Sequence, residues 1–176
     1  NEGADATQLV GGFPPLNLAC FSGSAEQASL LIEYGAQIET VDSQAQNALH
    51  ACAVYLSSEK ARLDSVILVD VLIRAGVAYQ DPDSLGLTPL HLLCGASLQK
   101  AQTLKEGLIL SALERLLQEP ISIDCVDARG FTPLHHASAR GFGQLIERLL
   151  KAGADKNRRD NLGRSAYDFA VMGGFS

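Results

Sequence analysis

Residues 127–157 read Asp-Ala-Arg-Gly-Phe-Thr-Pro-Leu-His-His-Ala-Ser-Ala-Arg-Gly-Phe-Gly-Gln-Leu-Ile-Glu-Arg-Leu-Leu-Lys-Ala-Gly-Ala-Asp-Lys-Asn. Asp127 to Gly130 carry the chemistry of a tight turn. Thr132-Pro133 then opens a helix, because Thr caps its first turn and Pro fits there without losing a hydrogen bond. Leu134, Ala137 and Ser138 fall at i, i+3 and i+4, one face of that helix, and Gly141 ends it. A second helix is predicted from about Phe142 to Lys151, with Leu145, Ile146, Leu149 and Leu150 at helical spacing. Gly153 stands where a left-handed residue closes it. Ala154 to Arg159 run extended into the next turn, Asp160-Asn161-Leu162-Gly163.

The same grammar recurs along the chain. Pro14-Pro15-Leu16-Asn17, Asn47-Ala48-Leu49-His50 and Thr88-Pro89-Leu90-His91 align with Thr132-Pro133-Leu134-His135, and Ser165-Ala166-Tyr167-Asp168 is a weaker fifth. From Leu16 to Tyr167 the steps are 33, 41, 44 and 33 residues. A base period of 33, lengthened in two adjacent units, is the signature of a repeat array. The units are read as about 9–41, 42–82, 83–126, 127–159 and an incomplete 160–176, all in one domain. The added residues fall near 56–64 and 97–107, between the two helices of units two and three. On neighbouring units they are expected side by side, either as loop drift or as an added contact surface.

Residues 127–157 resemble the ankyrin repeat almost throughout, and four openings in phase extend that resemblance over essentially the whole chain. It implies an all-α solenoid of stacked antiparallel helix pairs with β-hairpin turns at roughly right angles. It also implies that His50, His91 and His135 bond backbone groups of the adjacent hairpin. The second histidine of unit four, His136, is expected partly exposed on the first helix. The first two openings depart from the pattern, and the turn Asp42-Ser43-Gln44-Ala45 lacks its final glycine. Gly3-Ala4-Asp5 looks like the tail of a preceding unit, and the fifth unit stops before its second helix. Its helix carries Tyr167, Phe169, Ala170 and Val171, which leads to the expectation of more chain beyond Ser176.

Composition narrows the function. The chain has 176 residues, 47% of them hydrophobic, and a net charge of −6. Charge shifts along it: residues 1–60 sum to −6 and residues 127–176 to +3. Such asymmetry orients a charged partner rather than a fold. No apolar run approaches the roughly 18 residues of a membrane span, so no membrane insertion is expected. Cys20, Cys52 and Cys94 each lie three or four residues after a key leucine, where Ala137 and Ala170 stand in other units. They read as small buried apolar residues in a reducing, intracellular compartment, cytoplasmic or nuclear. Neither metal nor cofactor is expected, and no nucleophile, acid–base pair or phosphate loop emerges. Asp81 and Asp83 read as turn formers. The basic residues Lys156, Arg158, Arg159 and Arg164 lack interleaved aromatics, which disfavours nucleic acid.

What remains is binding of a protein or peptide by a monomeric, non-enzymatic scaffold or adaptor segment. Alternatives are a regulatory or substrate-recruiting arm of an enzyme or bacterial effector, or a nucleic-acid-associated regulator. In the family, partners meet the hairpin tips and the exposed face of the first helices. Carried over, the tip candidates are Leu85, Leu87, Arg129, Phe131, Leu162 and Arg164. The first-helix candidates are Tyr55 and Arg140, with Phe21 and Ala139 at matching positions. Packing of these tip residues against the next hairpin is the competing expectation.

Overall fold

The computed structural model describes residues 9–96 and 106–175. Its helices are α1 (Pro15–Phe21), α2 (Ala25–Glu33), α3 (Ala48–Leu56), α4 (Val66–Ala75), α5 (Pro89–Leu93), α6 (Glu106–Leu116), α7 (Pro133–Arg140), α8 (Gly143–Lys151) and α9 (Ala166–Met172). They form two layers. The helices α1, α3, α5, α7 and α9 touch in sequence, and α2, α4, α6 and α8 touch in sequence behind them. The all-α repeat solenoid is therefore observed, with only two isolated β-bridges among the described residues, Val10 with Phe13 and Arg159 with Ser165. Gly3-Ala4-Asp5 and most of the second insert lie outside the described residues.

The layers arise from the repeated leucines. Leu16, Leu49, Leu90 and Leu134 are buried on the first helices, and Leu72, Leu113, Leu116, Leu145 and Leu149 on the second. Neither layer covers its apolar face alone, so burial of these side chains, worth roughly 1.5–3 kcal/mol each, holds neighbours together. Cys20, Cys52 and Cys94 are fully buried among them, as small apolar packing residues. Burial pushes all three thiols up, Cys52 to about 12, so they stay protonated and unreactive.

The openings cap the helices as the sequence implies. Each of Asn47, Thr88, Thr132 and Ser165 forms a capping box with the side chain three residues on. The first unit cannot do this, because its cap is Pro14, which has no N–H to give. Asn17 stands there in place of histidine and makes only the outward bond, from Nδ2 to the Gln46 carbonyl at 2.8 Å.

The first insert is a folded element. It leaves α3 through Ser57, turns, and enters α4 through a short 3-10 turn at Leu63–Ser65. The Tyr55 hydroxyl donates to the Lys60 carbonyl at 2.9 Å, and Ser65 Oγ donates to the Gly23 carbonyl at 3.0 Å. Tyr55, Ala61 and Leu108 pack as a satellite cluster with Val66. The first insert thus reaches the opening turn of α6, next to where the second insert ends.

Candidate protein-binding site

Four tips follow one plan. In each, the leading aspartate is buried and its Oδ1 accepts the N–H groups two and four residues on. Asp42 holds Gln44 and Gln46 at 2.8 and 3.0 Å, and Asp83 holds Leu85 and Leu87 at 2.9 Å each. Asp127 holds Arg129 and Phe131 at 2.8 and 2.9 Å, and Asp160 holds Leu162 and Arg164 at 2.9 and 2.8 Å. Backbone bonds join neighbouring tips: Ser84 N to the Gln44 carbonyl, Ala128 N to Leu85, and Asn161 N to Arg129, at 2.9 to 3.1 Å. The close approach explains the glycines, since a Cβ on Gly86 would lie 2.8 Å from Ala128 N. In the first tip, Ala45 adopts the left-handed backbone without a glycine's freedom, at φ 60°.

A histidine of the preceding unit clasps each of the last three tips. Nε2 of His50, His91 and His135 donates to the carbonyls of Leu87, Phe131 and Arg164 at 3.0 to 3.1 Å. Nδ1 of His91 and His135 accepts the N–H of Thr88 and Thr132 at 3.1 Å. Both ring nitrogens are then committed to the neutral ring. Burial lowers all three pKa values, and that of His91, beside His136 as well, falls to about 4.

The plan sorts each tip into an outward and an inward residue. Two residues after the aspartate the side chain points outward: Gln44 is exposed, Leu85 is 63% exposed and Leu162 75%. Arg129, in the same row, keeps 63% of its side chain in solvent. Four residues after the aspartate the side chain turns under the tip. The expected exposure of Leu87 and Phe131 is corrected here: they are 7% and 8% exposed. Leu87 joins the main core, and the Phe131 ring packs edge-on to Phe169 at 4.8 Å.

The molecule's relatives carry the same repeat. A family model described as ankyrin repeats in many copies matches residues 116–170. The ankyrin repeat protein OPG189 of Variola virus is 30% identical over 148 residues, 84% of this chain and 24% of that protein. The human ankyrin repeat and SOCS box protein 16 is 25% identical over 197 residues, 97% of this chain and 43% of that protein. The human SH3 and multiple ankyrin repeat domains protein 2 is 29% identical over 162 residues, 92% of this chain and 8% of that protein.

This chain belongs to the ankyrin-repeat family. It spans less than half the length of each of these relatives. The family's repeats are generally non-enzymatic modules of protein–protein interaction.

The ankyrin fold also places the other candidates. Tyr55, expected on the open face of a first helix, is 8% exposed because the first insert folds over it. Arg140 is partly buried, with Nε donating to the Gly95 carbonyl at 3.3 Å. Arg164 grips Asp160 Oδ2 through Nε at 2.8 Å and Nη2 at 2.7 Å, which leaves 31% of its side chain exposed. Phe21 is partly buried against Phe13, ring centroids 6.0 Å apart. His136, expected partly exposed, is 7% exposed. Its Nε2 bonds Asp127 Oδ2 at 3.2 Å, a partner nine residues back that the helix period does not reveal. Burial would raise the Asp127 pKa. The bonds from His136 and from the Phe131 and Arg129 N–H groups outweigh that and hold it well below the usual carboxylate range.

Among the described residues, no three His, Cys, Asp or Glu side chains are grouped to hold a metal ion. No described helix is long and apolar enough to cross a membrane.

Proposed function

We propose that this chain is a non-enzymatic protein-binding segment of a longer scaffold or adaptor, holding a protein or peptide across its tips through Leu85, Arg129 and Leu162. One observation carries the reading. Three neighbouring tips each project an exposed side chain from a backbone bonded within the tip and to the next tip. A row fixed before the partner arrives spares the entropy of ordering it on contact. The exposed arginine also matches the enrichment of Arg at energetic hot spots, and the leucines on either side add apolar area around it. In this reading Leu87, Phe131 and Arg164 serve the site from beneath, by fixing the tips. Tyr55 and Arg140 brace the first helices.

Two of the relatives are named for a second module, a SOCS box and an SH3 domain, which supports an arm that recruits a partner for chemistry elsewhere. The buried, protonated thiols suit a reducing cell interior, cytoplasmic or nuclear, and the reading takes the segment as a monomer. The test is capture from cell lysate by the immobilised 176-residue chain and by its Leu85→Asp/Leu162→Asp variant, compared by quantitative mass spectrometry. The expected result is a set of proteins lost from the variant while its melting temperature is unchanged. Equal capture by both would remove the tips from the binding site.

A further inference from the structure

The net charge of −6 misdescribes the face that carries the tips. Of the first-layer helices, α1, α3, α5 and α7 contain no aspartate or glutamate, and α9 contains one, Asp168, which is bonded to Ser165. The four tip aspartates are 6–9% exposed, each with its Oδ1 filled by two backbone N–H groups. The helical acids sit chiefly in the second layer, where Glu26, Asp70, Glu106, Glu114 and Glu147 lie. The tip turns of this acidic molecule therefore expose Arg129 and part of Arg164, while exposed Asp81 stands ahead of the second tip.

Within the turns themselves the more exposed cation is Arg129, and Lys156, Arg158 and Arg159 lie exposed ahead of the last tip. The Arg129 guanidinium lies over the Phe131 ring, 4.3 Å from the centroid, which fixes its position without using its hydrogen-bond donors. The nearest acid, Asp127, is a weak competitor for it. Asp127 Oδ2 already takes His136 Nε2 at 3.2 Å, and Arg129 Nη2 stands at 3.4 Å, a long contact. Arg164 is the contrast, because Asp160 holds it through two nitrogens at 2.8 and 2.7 Å. Arg129 thus offers a positioned, solvated fork of donors, the geometry that takes a carboxylate bidentately. Leu85 and Leu162 flank it on the neighbouring tips.

Resting on the tip-binding reading above, we infer that the partner presents an extended acidic segment to these tips, with an Asp or Glu on Arg129 and apolar side chains on Leu85 and Leu162. Spacing makes the motif specific. Successive units pack about 8–10 Å apart, and an extended chain advances about 3.3 Å per residue. Three residues then separate the groups that meet successive tips, so the segment reads apolar-x-x-acid-x-x-apolar. A nucleic acid fits this surface poorly, because the Phe131 face is capped by Arg129 and offers no platform for a base.

The experiment is selection of a random heptapeptide display library on the 176-residue chain, repeated on Arg129→Glu and on Leu85→Asp. Wild-type selection should enrich an acid at the central position with apolar residues three places away on each side. Arg129→Glu should weaken those peptides about tenfold or more, and its own selection should replace the central acid by Lys or Arg. Reversed preference cannot come from misfolding. Peptides that lose affinity on Leu85→Asp yet bind Arg129→Glu unchanged would overturn the acidic partner while keeping the tips as the site. Peptides indifferent to both variants would overturn the tip reading as well. Failure to enrich any peptide, or displacement of the selected peptides by an equimolar oligonucleotide, would also overturn the inference.

Discussion

Each of the tip-closing carbonyls at Gln46, Leu87, Phe131 and Arg164 accepts two bonds, one from its own aspartate N–H and one from the preceding unit. For His91 and His135 the clasp works only with a neutral ring, since Nδ1 must accept an N–H. The pH dependence follows from that. Between the ordinary 6.5 and about 4, the unfolded chain takes up a proton at His91 that the folded chain refuses. Stability therefore falls as pH falls through this window, with His50 and His135 adding in the same direction. Denaturant melts at pH 7 and pH 4.5 should show His91 alone contributing on the order of 2 kcal/mol to the loss. His91→Asn should be less stable at pH 7 and show a flatter profile; an unchanged profile would place the acid sensitivity elsewhere. A second prediction concerns Ala45, held at φ 60° where the other tips have glycine. The left-handed cost of about 1–2 kcal/mol outweighs glycine's entropic cost of about 0.5–1. Ala45→Gly should raise unfolding free energy by about 0.5 kcal/mol in urea. At this scale the sequence was legible for the clasping histidines, which follow from a repeated motif. It was not legible for Leu85 against Leu87, both leucines in one turn, because an Asp-nucleated loop has no period to mark its inner side. His136 was hidden for a related reason: its partner lies in the turn before its helix.

At the scale of elements, the inserts are where the chain departs from a regular repeat. The segment between α3 and α4 is not a loose loop, being held by hydrogen bonds from Tyr55 and Ser65. Tyr55 lies under it, against Gly23 of the preceding unit, where an added Cβ would stand 2.2 Å from the ring. Gly23 also has φ +73°. Gly23→Ala combines left-handed strain with overpacking and should cost about 2–4 kcal/mol in a thermal or urea melt. Tyr55→Phe keeps the ring, loses the hydrogen bond to Lys60, and should cost about 1 kcal/mol. Equal stability of all three proteins would mean that the insert does not pack. The burial of Tyr55 was not readable in advance, because helix periodicity says which face meets the next helix and nothing of a loop folding back.

At the scale of the whole molecule, the repeat separates two jobs along each tip. One residue faces in and holds the stack, and its neighbour two places earlier faces out. The repeat was legible from the leucine spacing and the family from the Thr-Pro-Leu-His motif, and the tips as a candidate surface came only with that resemblance. Which residues are exposed there required the burial pattern, and the charge of the tip turns required knowing that their four aspartates are buried. The central claim is that partners meet the exposed tip row rather than the second-layer helices. Site-specific photo-crosslinking tests it most directly, with a benzophenone amino acid placed singly at Leu85, Leu162 or Ile67 and a captured partner present. Ile67 is 59% exposed on α4, in the second layer, and serves as the contrast. Crosslinks from positions 85 and 162 with none from 67 are the predicted result; crosslinks from 67 with none from 85 or 162 would contradict the account.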